Sequence, residues 1–378
     1  MSRPFFLGPA AGLIIGFAHA TGIPALMCLS VLIPALAVLQ PTRRGAGLAA
    51  FTYYFACSWP GAVVSYNLHR TAQAAITGEL VCVTASILLA MPFAALWSPI
   101  KSVAASRMPI VLTAIIVPPL GVISIGHPLA VAGFLFPGAG WAGVLGMLTL
   151  PSLLLLYPRF GAATLAIASF GFHARFDGTP STAAGWLGVN QTTSCPPIEC
   201  DLQRLTAVQR RSIEAPEAVL VFPEAAVPTW TAATEIFWRD TDDQLRRNGT
   251  TVLIGSTIED GRLTRNVLLA RGSEHGYFEQ RVPVPGGMWR PFANGSVPLN
   301  PFGSAVFRVR HERLAVLICY EQLIPWTWLS AMRLKPTMAV AISNDEWSKG
   351  TSVPAYRRSV VRSWTELFGL PCLVATRE

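Results

Sequence analysis

Two apolar runs in this chain end in groups that can do acyl chemistry. The first, Leu314-Ala-Val-Leu-Ile318, stops at Cys319, and Tyr320-Glu321 follow before a helical period sets in. An unbroken apolar run bounded in this way predicts a buried strand that delivers its last residue to a strand-to-helix turn. A thiol at the open end of a sheet, beside a helix N-terminus, has its reactive thiolate favoured by the partial positive charge there. The second run, Val219-Leu-Val-Phe222, leads to Glu224, held between Pro223 and Pro228. Each residue has a plain alternative when taken singly. A cysteine closing an apolar run is a small core residue, and a lone acid at a strand end is a loop residue or a helix cap. On one sheet, side by side, they become a nucleophile and its general base.

Positioning such a pair calls for a layered scaffold, and the chain changes to the composition of one at about Ala174. Arg175-Phe-Asp-Gly-Thr-Pro-Ser-Thr182 reads as a linker, so residues 174–182 separate an N-terminal region, 1–173, from a folded domain, 183–378. Strand-like runs lie at Trp186–Asn190, Ala218–Phe222, Thr251–Gly255, Asn266–Ala270, Ala305–Val309, Leu314–Ile318, Met338–Ile342 and Cys372–Ala375. Helical patterns occupy Leu202–Glu214, Thr231–Arg247, Leu323–Leu334 and Ala355–Phe368. Strands and helices mix in alternating and paired order, which predicts an α/β or α+β layered domain. Arg357, Arg358 and Arg362 on the last helix read as a solvated face.

The N-terminal region is of another kind. Across the 378 residues the hydrophobic fraction is 52%, charged residues make up only 13%, and mean hydropathy is +0.44. Soluble domains carry about 25% charged residues. Between Met1 and Phe172 long apolar stretches run at Pro4–Ala20, Gly22–Leu39, Ala46–Val64, Leu80–Ile100, Met108–Gly126, Leu129–Tyr157 and Phe160–Phe172. A span needs about 20 apolar residues, so the pattern predicts about seven transmembrane helices, with Phe136-Pro-Gly-Ala-Gly140 breaking the sixth stretch. With the N-terminus and Arg3 cytoplasmic, seven spans put Arg43, Arg44, Lys101, Arg107 and Arg159 on the cytoplasmic side. Arg70 and Glu79 then face the other side, as does the large C-terminal domain. Ala18-His-Ala20 offers the alternative of a cleaved leader. The net charge of +8 is spread thinly, with no basic run that would bind nucleic acid. Seven cysteines without a CxxC pair or interleaved histidine argue against a metal centre, and no cofactor is expected. Cys195 and Cys200 could pair as a short-loop disulfide or remain two loop thiols.

Three segments together carry a resemblance: Pro223-Glu224-Ala-Ala-Val-Pro228, Ile318-Cys319-Tyr320-Glu321 and Ser343-Asn-Asp-Glu-Trp347. They look like the three signatures of the carbon–nitrogen hydrolase (nitrilase) superfamily. With apolar spans in front, the chain resembles the apolipoprotein N-acyltransferases in particular. Val282-Pro-Val-Pro-Gly-Gly-Met-Trp-Arg-Pro291 and the arginine-rich ending further resemble a conjugal-transfer branch of N-acyltransferase-like proteins. The resemblance implies an αββα sandwich with a Glu–Lys–Cys triad. Glu224 would take the thiol proton, Cys319 would form a thioester acyl-enzyme, and Glu321 would assist from behind. It also implies a phospholipid acyl donor, a protein or peptide acceptor, and a domain on the periplasmic side of the bacterial cytoplasmic membrane. No lysine lies between Glu224 and Cys319. The matching position is Gln280, or Arg281 with a one-residue slip, which makes Arg281 the stand-in oxyanion donor, although its broad fork differs from a compact ammonium. Met288 stands where the family has a loop glutamate. A catalytically silent, membrane-anchored assembly component of conjugation is the other function consistent with these substitutions.

Overall fold

The structure, a computed structural model, describes residues 7–69, 72–192, 197–215 and 217–378. The expectations placed on Arg3, Arg70 and Cys195, including the Cys195–Cys200 pairing, lie outside them. The chain divides into two compact units: Met1–Thr179 with Leu323–Trp326 and Gly350–Leu370, and Pro180–Gln322 with Thr327–Lys349 and Pro371–Glu378.

The first unit is helical: α1 (Leu7–Ala20), α2 (Pro24–Met27), α3 (Ile33–Val38), α4 (Arg43–His69), α5 (Ala72–Ala95), α6 (Lys101–Ala114), α7 (Ala132–Leu135), α8 (Trp141–Leu156) and α9 (Pro158–His173). Local chemistry sets the breaks. Gly22 takes a left-handed φ of 76° and Pro24 opens α2, so the Gly22–Leu39 stretch folds as short helical pieces around a 3-10 turn. The expected break at Phe136–Gly140 is present: α7 stops at Leu135 and α8 starts at Trp141, with Gly138 and Gly140 both at positive φ. Only the first part of Met108–Gly126 is α-helical, since α6 ends at Ala114 and a 3-10 turn follows at Leu120–Ile123. Among the described residues one helix, Ile76–Ala95 within α5, is long and apolar enough to cross a membrane. Leu7–Ala20, Pro24–Val38 and Trp141–Leu156 are apolar and shorter.

The helix near the C-terminus belongs to this unit as well. It runs from Val353 to Phe368, Ser363 Oγ accepts from the Gly133 N–H (3.0 Å), and the carbonyls of Glu366 and Leu367 accept from Gly138 and Gly140. A buried polar cluster sits alongside. His19 Nδ1 faces the Met27 carbonyl (3.1 Å), which only a donor can do, so Nε2 accepts from the Tyr356 hydroxyl (3.1 Å). That hydroxyl accepts in turn from the Gly126 N–H. Arg357 corrects the expected solvated face: it is buried to 4%, whereas Arg358 and Arg362 are exposed.

The second unit holds nine described strands in two sheets. Sheet A runs β1 (Trp186–Gly188), β2 (Val219–Val221), β3 (Thr251–Asp260), β4 (Leu263–Gly272), β5 (Gly276–Glu279), parallel through β3 and antiparallel beyond. Sheet B runs β6 (Phe307–Val309), β7 (Glu312–Ile318), β8 (Met338–Asn344), β9 (Cys372–Arg377), with β7, β8 and β9 parallel. Alternate residues from both sheets, among them Val219, Val221 and Leu253 with Val316, Ile318 and Ile342, form one buried core, so the sheets pack face to face. On the outer face of sheet A, α10 (Pro197–Glu214) and α11 (Ala232–Arg247) bury Val208, Trp238 and Leu245 against Leu220, Val252 and Ile254. α12 (Pro325–Met332) follows β7, and α13, the Val353–Phe368 helix, joins β8 to β9. Strand β5 is absent from the sequence reading because four residues starting at a glycine make no periodic pattern.

A Cβ on Gly133 would lie 1.7 Å from the Ser363 carbonyl oxygen. Gly133→Ala is expected to lower the stability of the helical unit by about 1–3 kcal/mol through overpacking. Thermal unfolding of the detergent-solubilised chain reads this, and an unchanged midpoint would contradict the close packing of α7 and α13.

Candidate active site

The parallel strands of both sheets end on the same side, and the chemistry-bearing residues follow those ends. In open α/β sheets this carboxyl edge is where ligands bind. β2 leads through Phe222-Pro223 to Glu224, buried to 6%. Its Oε1 accepts from Asn266 Nδ2 (2.8 Å) on β4, and its Oε2 from the Asn344 backbone N–H (3.0 Å) at the end of β8. Asn266 Nδ2 also donates to Gln280 Oε1 (3.0 Å), and Gln280 Nε2 donates to the Ile318 carbonyl (3.0 Å), one residue before Cys319. Three side-chain hydrogen bonds thus lead from the carboxylate to the strand that carries the thiol. The approach depends on Gly255 of β3, where a Cβ would stand 2.2 Å from the Pro223 oxygen and 2.7 Å from Glu224 Cα.

Cys319 packs against the core between the sheets and is only partly buried. Its φ is +53°, a left-handed value uncommon outside glycine, and Ala225, just after Glu224, has φ +54°. Such strain persists where the surroundings enforce it, and it clusters at functional sites. Here it falls on Cys319, the candidate nucleophile, and next to Glu224, the candidate base. The chain then forms a 3-10 turn, Cys319–Leu323, before α12 begins at Pro325. The expected helix N-terminus directly behind the thiol is therefore replaced by a single tighter turn, because Pro325 sets where the α-helix begins.

Glu321 is fully buried and ties the site from behind. Its Oε1 accepts from the Arg281 backbone N–H (2.9 Å), Arg281 Nε (3.2 Å) and the Val282 N–H (3.3 Å), and its Oε2 from the Ile318 N–H (3.0 Å). Burial pushes this carboxyl above the usual range, opposed by the Arg281 guanidinium and the backbone donors. Every partner is a donor, so the carboxylate is the form the site holds. Arg281, buried to 2%, also donates from Nη1 to Ser330 Oγ (2.9 Å) and from Nη2 to the Thr327 carbonyl. Its guanidinium is thereby directed at Glu321 and α12, while the neighbouring Gln280 is the side chain joined through Asn266 to Glu224 and directly to the strand before Cys319. Asn266, Gln280 and Asn344 complete the site. The signal for Asn266 was a lone carboxamide inside the apolar half of a strand, Leu263-Thr-Arg-Asn-Val-Leu-Leu-Ala270. Burial pushes the thiol of Cys372, which opens β9, up to about 12, so it stays protonated at neutral pH.

Glu321→Gln keeps the shape and removes the charge that Arg281 needs. The variant is expected to lose about 3–5 kcal/mol, the cost of leaving a buried charge unmatched. Chemical denaturation measures it, and a loss under about 1 kcal/mol would mean that Arg281 finds another counter-charge.

No protein-family model matches the chain. It is 29% identical over 97% of its length, and 96% of the relative's, to a probable conjugal transfer protein TraB of Sinorhizobium fredii. It is 33% identical over 68% of its length to the conjugal transfer protein TraB of Agrobacterium fabrum, covering 63% of that protein. The apolipoprotein N-acyltransferase of Coxiella burnetii is 24% identical over 38% of this chain and 33% of its own. Among solved structures, a carbon–nitrogen hydrolase from Helicobacter pylori aligns over 50% of this chain and 72% of its own, with 12% identity and a TM-score of 0.39. The chain is thus similar along nearly its whole length to one conjugal transfer protein TraB, along two thirds of it to another, and over a shorter part to an apolipoprotein N-acyltransferase.

Proposed function

We propose that this protein is a membrane-embedded, cysteine-dependent acyltransferase or amide-bond enzyme that serves conjugal plasmid transfer. The observation that carries the reading is the hydrogen-bonded path from Glu224 through Asn266 and Gln280 to Ile318, beside Cys319. Glu224 takes the thiol proton as Sγ adds to an ester carbonyl. The ester C–O bond breaks, the leaving alkoxide takes that proton, and a thioester remains on Cys319. An acceptor amine then forms the C–N bond, the C–S bond breaks, and the amine proton returns through Glu224 to the thiol. Glu321 and Arg281 act from behind, fixing the turn that presents the thiol.

A phospholipid donor accounts for an apolar helical unit joined to the catalytic one. Membrane placement is supported by the candidate span in α5 and by large apolar side chains exposed on other helices: Ile14 at 67%, Leu145 at 63%, Ile167 at 73% and Phe170 at 77%. Such surfaces are stable in lipid and rare on soluble monomers. In this reading the spans lie in the bacterial cytoplasmic membrane and the sandwich faces the periplasm. A protein or peptide supplies the acceptor amine.

A second reading, a catalytically silent assembly component of conjugation, is favoured by one observation. The chain has no lysine between Glu224 and Cys319, and Arg281 is engaged with Glu321.

Incubation with phospholipid, followed by intact-mass and peptide mass spectrometry, is expected to show one acyl group on Cys319 that hydroxylamine removes. Cys319→Ala and Glu224→Gln should abolish it and reduce plasmid transfer. Normal transfer by Cys319→Ala with no adduct on the unsubstituted protein would leave the silent reading. For placement, alkaline phosphatase fused to the C-terminus should be active, and an inactive phosphatase fusion paired with a bright cytoplasmic fluorescent fusion would reverse the topology.

A further inference from the structure

Two adjacent strand-end side chains carry donors that the fold leaves over. Asn344 and Arg377 are ladder partners at the ends of parallel β8 and β9, buried to 3% and 2%. The Asn344 backbone N–H donates to Glu224, and its Oδ1 accepts from the Glu346 N–H (3.1 Å). The second bond fixes the carboxamide, because a flipped amide would set NH2 against N–H. Nδ2, so oriented, is buried without a hydrogen-bond partner. Arg377 is held as firmly: Nη1 donates to the Ala225 carbonyl (3.1 Å), and Nη2 pairs with Glu346 (2.8 Å). Its Nε is also buried and unpartnered.

Native folds leave few buried N–H groups unmatched, because each forfeits its hydration without return. Two such groups on neighbouring positions, both fastened to the Glu224–Ala225 turn, form a preformed donor pair. Their complement is an oxygen atom of a ligand. The Arg377 charge is already met by Glu346, so the pair suits a neutral carbonyl that gains charge during reaction better than a free anion. The pair is also close to the nucleophile along the ladder: Ile318 is the partner of Ile342, so Asn344 stands one residue past the level of Cys319. Other polar groups nearby are committed elsewhere, Asn266 to Glu224 and Gln280, Gln280 to Ile318, Arg281 to Glu321 and Ser330.

We propose that Asn344 and Arg377 form the oxygen-binding subsite for the acyl carbonyl that Cys319 attacks. The inference rests on the acyl-transfer reading for its chemistry and on the strand-end geometry for its location. When Sγ bonds to the carbonyl carbon, the π electron pair moves onto oxygen, where Nδ2–H and Nε–H hold it. When the tetrahedral adduct collapses, the pair returns and the leaving group departs. The two side chains do the work that an ammonium at position 280 would otherwise do.

The test uses a step that needs binding but no turnover. Full-length protein in detergent is alkylated with iodoacetamide in the presence of increasing butyramide, and modification is followed on the peptide containing Cys319. Butyramide is expected to slow alkylation of the unsubstituted protein, and the isosteric Asn344→Asp, which removes the donor, should weaken that protection about tenfold. Arg377→Lys, with its fold checked by circular dichroism, provides the second variant and should also weaken it. No protection by butyramide, or equal protection in Asn344→Asp and Arg377→Lys, overturns the proposal. Thioester formation from phospholipid is scored separately: its absence sinks acyl transfer while protection at Cys319 still locates the subsite. If the adduct forms, Asn344→Asp should slow it by roughly 100- to 1000-fold, as for loss of one oxyanion donor.

Discussion

The carboxylate of Glu321 holds this site together. It gathers the backbone of Arg281 and Val282 from the segment after β5 on one sheet, and the backbone of Ile318 on the other. With the Arg281 guanidinium added, one side chain neutralises a buried cation and stitches sheet A to the end of β7. Buried ion pairs seldom add much net stability, because desolvation offsets the attraction. What this one does is geometric. It sets the level at which Gln280 and Cys319 leave their strands, and those two positions decide whether the path from Glu224 closes. The same engagement turns the Arg281 guanidinium toward Glu321 and α12, so the residue that the sequence offers as a cationic replacement braces the turn after β7.

A carboxamide network occupies the front. Asn266 and Gln280 contribute no charge, and their amides are oriented by what lies at each end: a carboxylate that must accept, and a carbonyl that must accept. Such a chain positions Glu224 well but does little to stabilise a thiolate electrostatically. An enzyme built this way would depend on proton transfer concerted with attack rather than on a standing thiolate.

Much of the sandwich was legible in the sequence because its strands are apolar runs with sharp ends. The runs at 219–222, 314–318, 338–342 and 372–375 all became strands, and the residues closing them, Glu224 and Cys319, reached the common edge. What escaped notice had physical reasons. β3 and β4 extend beyond their apolar halves into the exposed Glu259 and Asp260, where hairpin pairing rather than burial holds them. The helix after Cys319 is delayed by one 3-10 turn, which no periodicity reveals. Arg281 has the right charge at the right sequence distance, but its direction depends on Glu321, a partner forty residues away. The apolar stretches before residue 173 predicted helices well and their continuity less well, since Pro24 and Pro34 cut the second and the fifth leaves its α-helix at Ala114, while the break at Phe136–Gly140 was legible.

The last long helix has a consequence for how the protein is made. Residues 350–370 belong to the helical unit, yet in sequence they lie between β8 and β9 of the sandwich. They emerge from the ribosome only after β8. The N-terminal helices must therefore wait, with the seat for Ser363 beside Gly133 unfilled, until most of the sandwich has been made, and β9 can join sheet B only after that. Biogenesis of the two units ends in one late event, so a nascent chain stalled before residue 350 would leave both incomplete, and quality control would meet them together.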